Sequence, residues 1–368
     1  MKKQRSTRAA LVRFAQVATA SAAFALLAAC GGGSDDNNST PPGGVKLQVV
    51  SFGDSLSDVG TYSPVAAANF GGGRFTTNPG QVWVQDVAQY YGDTLTPAMT
   101  GGFGTPPQTQ SGLGYAQGGA LVTNPIGINH VSNDPANYAG PLTVPIVQQV
   151  KNYLAAHGSF NSGQLVLVGG GANDILYNLQ AVQAGALSPT NAGVAIATAA
   201  GQLAGIIGTI LQNGATHVLV SNVPDISMTP QGMMSTPAVR AQMQQVSKLF
   251  NDTLTGALTQ SGLISKVIVL DIATPFANIT ANYAQFGFTV SNTGTACNLQ
   301  AMAAAAQKFG EPNPQAFATS LFCSPETLTV AGADQTYMFA DTLHPTTHLH
   351  ALWAQAAEQT IAKSGLGK

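Results

Sequence analysis

The chain has 368 residues, with 14 basic and 16 acidic side chains, six histidines and a formal net charge of −2. Only 8% of residues are charged and 45% are hydrophobic, enough to fill a sizeable core. No cluster of lysine and arginine lies beyond the first residues, which argues against a nucleic-acid partner.

In chain order, a basic start (Lys2, Lys3, Arg5, Arg8, Arg13) precedes an alanine-rich apolar stretch from Ala15 to Ala29. That stretch is short for a membrane span and has the flanks of an export signal. Its end, Leu27-Ala28-Ala29-Cys30, resembles the lipobox of bacterial lipoproteins. The resemblance implies residues 1–29 as a signal peptide, lipidation at Cys30, and, with Gly31 rather than aspartate following, anchoring to the outer membrane. An ordinary secretory signal cut near Ala29 is the alternative. Gly31 to Gly44 offers no apolar side chain to bury and reads as a tether with a reach of roughly 20 Å. Without the leader, nine basic residues face sixteen acidic ones, a net charge of −7. With Cys30 lipidated, Cys297 and Cys323 are left as a pair in an oxidising compartment. A disulfide between them is expected there, two buried thiols being the alternative.

Residues 45–368 read as one α/β domain. Leu47 to Phe52, Leu165 to Val168, His217 to Val220 and Lys266 to Leu270 are apolar runs of strand length. Helical spacing covers Gln81 to Tyr91, Val144 to His157, Asn191 to Asn213, Pro237 to Gln260, Ala301 to Ala306 and the stretch from Pro345 to about Lys363. Continuous apolar strands separated by helices predict a mainly parallel sheet covered on both faces, a three-layer α/β/α sandwich. Gly92 to Thr143 lacks periodicity and reads as a long functional loop.

Gly53-Asp54-Ser55-Leu56-Ser57-Asp58 follows the first strand directly and presents Ser55 at a carboxyl sheet edge, where ligands bind in such folds. A serine nucleophile needs a base, a group to orient that base, and donors for an oxyanion. Of six histidines only His344 has a carboxylate three residues earlier, in Asp341-Thr342-Leu343-His344-Pro345. One turn can put Asp341 on one imidazole nitrogen and leave the other for Ser55. Gly171-Ala172-Asn173-Asp174 and Tyr115-Ala116-Gln117-Gly118-Gly119 are the candidate sources of donors, from Asn173 and from Gly119 or Gly118. Neither Gly71–Gly73 nor Gly169–Gly171 continues into Lys-Ser/Thr, so a nucleotide site is not expected. The absence of Gly-x-Ser-x-Gly argues against an ordinary α/β-hydrolase elbow.

These four blocks, in this order, resemble the SGNH hydrolases, the GDSL esterase/lipase family. The resemblance implies a flavodoxin-like sheet, a Ser55–His344–Asp341 triad, and an oxyanion hole from the Ser55 and Gly119 N–H groups and the Asn173 side chain. Gly73-Arg74-Phe75-Thr76 and Val82-Trp83-Val84 look like the extension of its first block. Cys297, Cys323 and the Asp-Thr-Leu-His-Pro-Thr-Thr ending resemble the bacterial phospholipase, lecithinase and haemolysin branch. Gly114 stands where the family often has asparagine.

The expected activity is hydrolysis of lipid-like acyl esters by a membrane-tethered monomer that needs no metal or cofactor. A carbohydrate acetylesterase or an acyltransferase on the same site, and an inactive surface-binding lipoprotein, are the alternatives. Asp54, Asp58 and Asp174 are expected to cap helices or tie loops, and His348 and His350 to lie on the last helix, at the surface or behind the site residues, outside the chemistry.

Overall fold

A computed structural model describes residues 40–130, 139–311 and 313–368, of which Thr40–Lys368 form one unit. The leader, Cys30 and the tether up to Ser39 lie outside the described residues. The first half carries β1 (Gln48–Phe52), α1 (Ser63–Phe70), α2 (Trp83–Tyr90), β2 (Met99–Gly102), β3 (Thr105–Thr109), α3 (Ile146–His157), β4 (Gln164–Val168) and α4 (Ala172–Gln183). The second carries α5 (Pro189–Gln212), β5 (His217–Ser221), α6 (Pro230–Met234), α7 (Pro237–Gln260), β6 (Ile268–Leu270), α8 (Ala273–Ala281), α9 (Leu299–Lys308), α10 (Ala333–Thr336) and α11 (Thr347–Lys363).

Four strands pair in parallel in the order β1-β4-β5-β6, with Val50 opposite Val166, Val166 opposite Val218, and Leu219 opposite Ile268. On the outer side of β1, Ser51 bridges Gly114. The Ser51 N–H donates to the Leu113 carbonyl at 3.1 Å and the Tyr115 N–H to the Ser51 carbonyl at 2.8 Å. This short parallel contact occupies the place of the second strand in a flavodoxin-like order.

Alternate strand residues point to opposite faces, so a run apolar at every position must be covered on both. Val50, Phe52, Val166, Val168, Val218 and Val220 enter one core with α3, α4, α5 and α7. Val49, Leu165, Leu167, Leu219 and Leu270 enter the other with α2, α8 and α11. Three layers follow. The helices α5 and α7 begin where Ser188 and Thr236 cap the Asn191 and Val239 N–H groups, each followed by a proline that needs no donor. Helix α5 is long and apolar enough to cross a membrane, but half of that stretch is buried, and Ile196, Leu203, Ile207 and Ile210 face the first core.

Two expectations change. The stretch from Gly92 to Thr143 is not only loop, since the antiparallel hairpin β2–β3 lies within it. The strand expected from Lys266 is shorter, because Ile264–Lys266 forms a 3-10 turn before β6.

A third apolar cluster, of Tyr62, Ala66, Phe75, Phe317, Leu321 and Phe322 with Phe70 and Phe103 against it, sits beside the sheet. Its second half is the segment bounded by the Cys297–Cys323 disulfide, whose sulfurs are fully buried. The same segment is stitched to the stretch before Asp341, with Ala296 N–H on the Phe339 carbonyl at 2.8 Å and Cys297 N–H on Ala340 at 2.9 Å. Closing a loop of 26 residues should contribute roughly 3–4 kcal/mol through the unfolded chain. Thiol reductant should therefore lower the melting temperature by about 5 °C in a domain of this size, as read by differential scanning calorimetry. An unchanged melting point after verified reduction would contradict that.

Candidate active site

Gly53 directly follows β1 beside the carboxyl end of β4, where a side chain would lie 2.4 Å from the Gly169 carbonyl oxygen. Gln149 of α3 holds its peptide from both sides, accepting the Gly53 N–H at 2.9 Å and donating to its carbonyl at 2.8 Å. The chain then turns into a 3-10 helix, Ser55–Ser57, capped by Asp54, whose carboxylate accepts the Leu56 N–H at 3.1 Å. Ser57 Oγ accepts the Trp83 indole N–H at 3.2 Å, fixing this turn to α2. Ser55 thus stands above the sheet edge with its hydroxyl aimed away from the core.

The loop before α11 brings His344. His344 Nε2 lies 3.0 Å from Ser55 Oγ, and its Nδ1 lies 2.8 and 3.0 Å from the two Asp341 oxygens. With the Nδ1 hydrogen on Asp341, Nε2 is left to accept the Ser55 proton. Asp341 is buried, yet its carboxylate takes three backbone N–H groups, from Ser320 at 2.7 Å, Leu343 at 2.8 Å and His344 at 2.7 Å. Burial by itself pushes this carboxyl up. The His344 charge and these hydrogen bonds outweigh that and hold it well below the usual carboxylate range. The Phe75 ring packs on the imidazole with centroids 5.0 Å apart.

Opposite, Gly118 and Gly119 differ in their bonding. Asp58, fully buried, accepts the Gly118 N–H at 2.8 Å as well as those of Gly60 and Thr61. The Tyr62 hydroxyl donates to the Gly118 carbonyl at 2.8 Å. Gly119 has a φ of +80°, and a side chain there would meet the Ile128 carbonyl at 2.7 Å, so only glycine fits. Neither the Gly119 nor the Ser55 N–H is taken by another backbone group among the described residues. Asn173 sits in the first turn of α4 and donates one amide hydrogen to the Ala120 carbonyl at 2.9 Å. Ser55, Gly119, Asn173 and His344 all line one cavity of about 480 Å³, whose walls also carry Phe103, Leu176, Phe317, Leu321 and Phe322.

Of the residues named from the sequence, Ser55, Gly118, Gly119, Asn173, Asp341 and His344 line this one cavity, Cys297 and Cys323 pair with each other, and Cys30 lies outside the described residues. Asp54, Asp58 and Asp174 tie loops as expected, Asp174 by accepting the Val122 N–H at 3.1 Å. His348 leans on Phe288, while His350 is completely buried and accepts the Trp83 N–H on Nδ1 at 3.3 Å. Sequence reasoning missed Gln149, Tyr62 and Phe103. The first is an ordinary polar residue in a helical pattern and betrays nothing until α3 is placed beside β1. No group of His, Cys, Asp or Glu among the described residues could hold a metal ion.

Two of the buried carboxyls carry a pH signature. Burial raises Asp174 to about 7 against the Val122 N–H, and the Asp54 charge adds to the rise. Burial raises Asp54 to about 6, with the Leu56 N–H and His344 opposing. A raised carboxyl holds its proton in the folded state between about pH 4 and 7, where the unfolded chain has lost it, so stability falls as pH rises through that window. His350, pushed down to about 3 by burial and His344, acts in the opposite sense, its unfolded form alone charging below about pH 6.5. Comparing wild type with Asp174→Asn isolates the carboxyl. The variant should lose less stability between pH 5 and 7.5 in urea titrations, and identical losses would contradict the expectation.

The family model described as GDSL-like Lipase/Acylhydrolase matches residues 49–357 of the chain. The sequence is also similar to an "Uncharacterized protein in trpE-trpG intergenic region" of Pseudomonas putida, 28% identical over 256 residues. That match covers 65% of this chain and 38% of the relative, so the chain spans well under half of that protein's length. The turn that carries Ser55 lies at the edge of a parallel sheet in a three-layer α/β/α sandwich, and the family match spans most of that domain. The chain belongs to the GDSL-like lipase/acylhydrolase family.

Proposed function

We propose that this protein hydrolyses carboxylic esters of apolar acyl groups through an acyl-enzyme on Ser55. The single observation that carries the reading is the unbroken chain Ser55 Oγ–His344 Nε2 at 3.0 Å and His344 Nδ1–Asp341 at 2.8 Å. His344 takes the Ser55 proton as Oγ attacks the ester carbonyl, and Asp341 holds the imidazole tautomer and stabilises the imidazolium. The oxyanion is met by the Ser55 and Gly119 N–H groups and the free Asn173 amide hydrogen. Between the two glycines, the Asp58 bond to Gly118 leaves Gly119 as the donor. His344 protonates the departing alcohol, and water, deprotonated by the same nitrogen, then releases the acid. No step in this sequence calls on a metal or an organic cofactor.

The cavity's size and aromatic lining favour an acyl group larger than acetyl, since apolar surface gains about 25 cal/mol per Å² on leaving water. The leader and Cys30 support export and a lipid anchor, with the outer membrane as the destination. The small share of charged residues, 8% of the chain, supports neutral esters as substrates, and a monomer is the state this reading expects. A panel of p-nitrophenyl esters of increasing acyl length, with phosphatidylcholine vesicles and acetylated xylan beside it, tests the reading. Turnover of butanoyl and longer esters is expected. Turnover confined to acetyl groups would replace this substrate by an acetylated carbohydrate, and none at all would leave a binding protein.

A further inference from the structure

We propose that Phe103, at the tip of the β2–β3 hairpin, sets the length of acyl chain the cavity accepts. The inference rests on the ester-hydrolase reading above and adds a residue to it. Phe103 has a φ of +52° and Gly104, its neighbour at the tip, a φ of +86°. Positive φ at both central residues marks a hairpin turn in which asparagine-glycine or glycine pairs fit without strain. A phenylalanine there is an outlier that the surrounding structure must hold in place. It is held: Gly101 N–H donates to the Thr61 carbonyl at 2.9 Å and Phe103 N–H to Gly140 at 3.0 Å.

What the position gains is a ring in the cavity wall. Phe103 lies 5.4 Å from the Tyr62 ring, 5.5 Å from Phe322 and 6.1 Å from Phe317, centroid to centroid, and is only half-buried. Its outer part borders the cavity that holds Ser55. The other described non-glycine residues with positive φ belong to the same surroundings. Asn129 lines the cavity, and Thr143 packs its methyl against Gly119. Backbone strain is thus gathered at this wall, as at sites whose shape is fixed before ligand arrives.

The two sides of the cavity are chemically unlike. Gln231 and Thr342 adjoin His344, tied by the Gln231 N–H on the Thr342 carbonyl at 2.8 Å. That polar side suits an alcohol leaving toward water. An acyl chain leaves water against the apolar wall, where Phe103 is the ring carried on a hairpin tip instead of a core element.

Phe103→Gly removes the ring while suiting the backbone, so it tests the wall without forcing the turn. Phe103→Trp extends the wall in the opposite direction. The readout is the ratio of kcat/KM for p-nitrophenyl decanoate to that for the butanoate. The glycine variant should raise that ratio by about tenfold and the tryptophan variant lower it by about as much, the range a misfit methylene or ring produces in an apolar pocket. If the glycine variant does not fold, as judged by circular dichroism, Phe103→Leu should shift the ratio in the same direction by less. Ratios within about twofold of wild type in the folded variants would overturn the inference and leave Phe103 a packing residue. Wild-type protein that neither cleaves esters nor labels with a fluorophosphonate would instead sink the hydrolase reading, and this inference with it.

Discussion

Ser55→Ala is expected to lower kcat/KM for p-nitrophenyl esters by on the order of 10⁵- to 10⁶-fold, the loss that follows removal of a nucleophile working with its base as a unit. The residual rate is what bound ester and an intact oxyanion site give without covalent chemistry. Stability should hardly change. The hydroxyl is hydrogen-bonded to His344, and Ser55 sits at the cavity surface, not in either core. Melting temperature and activity measured on the same preparation separate the two effects. A variant that melts like wild type yet keeps more than about a hundredth of its activity would contradict the assignment.

Asp341→Asn is expected to cost about 10⁴-fold in kcat with little change in KM, because an amide favours the wrong imidazole tautomer. It should also destabilise the fold, since hydrogen bonds to a charged group contribute about 1.5–3 kcal/mol each and this carboxylate accepts three from the backbone. The sign of the pH effect follows from its depressed carboxyl. The native state is ionised where the unfolded chain begins to protonate, so the stabilisation is present above about pH 4 and is lost as pH falls below it. Wild type and variant should therefore differ most in melting temperature near pH 7 and converge in acid. A constant difference down to about pH 2 would mean that the carboxylate's charge is not what the three N–H groups stabilise.

The sequence carries the sheet because buried parallel strands are apolar at every position. Leu165 to Val168 and His217 to Val220 could hardly be placed elsewhere. Helix α7 is legible to the residue, Thr236-Pro237 stating its start by cap and ring. The hairpin β2–β3 is not. Its residues include three glycines and two prolines between Met99 and Thr109, with none of the β-branched alternation that marks a strand. It exists because the backbone of Thr61 and Gly140 and the aromatic cluster receive it, and those are tertiary facts. The 3-10 turn that shortens β6 is likewise invisible, since Lys266 and Val267 read as well in a strand.

The site divides along the same line. Asp341 and His344 are legible because three residues in one turn bring a carboxylate to an imidazole locally. Ser55 announces itself by its place after a strand. The supports do not, because each acts across a long stretch of chain: Gln149 on Gly53 over 96 residues, Asp58 on Gly118 over 60. The choice between Gly118 and Gly119 is of this kind. Both glycines look alike in sequence, and only the bond from Gly118 to Asp58 distinguishes them.

Treating the purified protein with a fluorophosphonate and mapping the modified peptide by mass spectrometry puts the pairing of Ser55 with His344 to the most direct trial. A single adduct on Ser55, absent from Ser55→Ala and formed far more slowly in His344→Gln, is the expected result. An adduct on another serine, or ester turnover by protein that takes up no label, would contradict it.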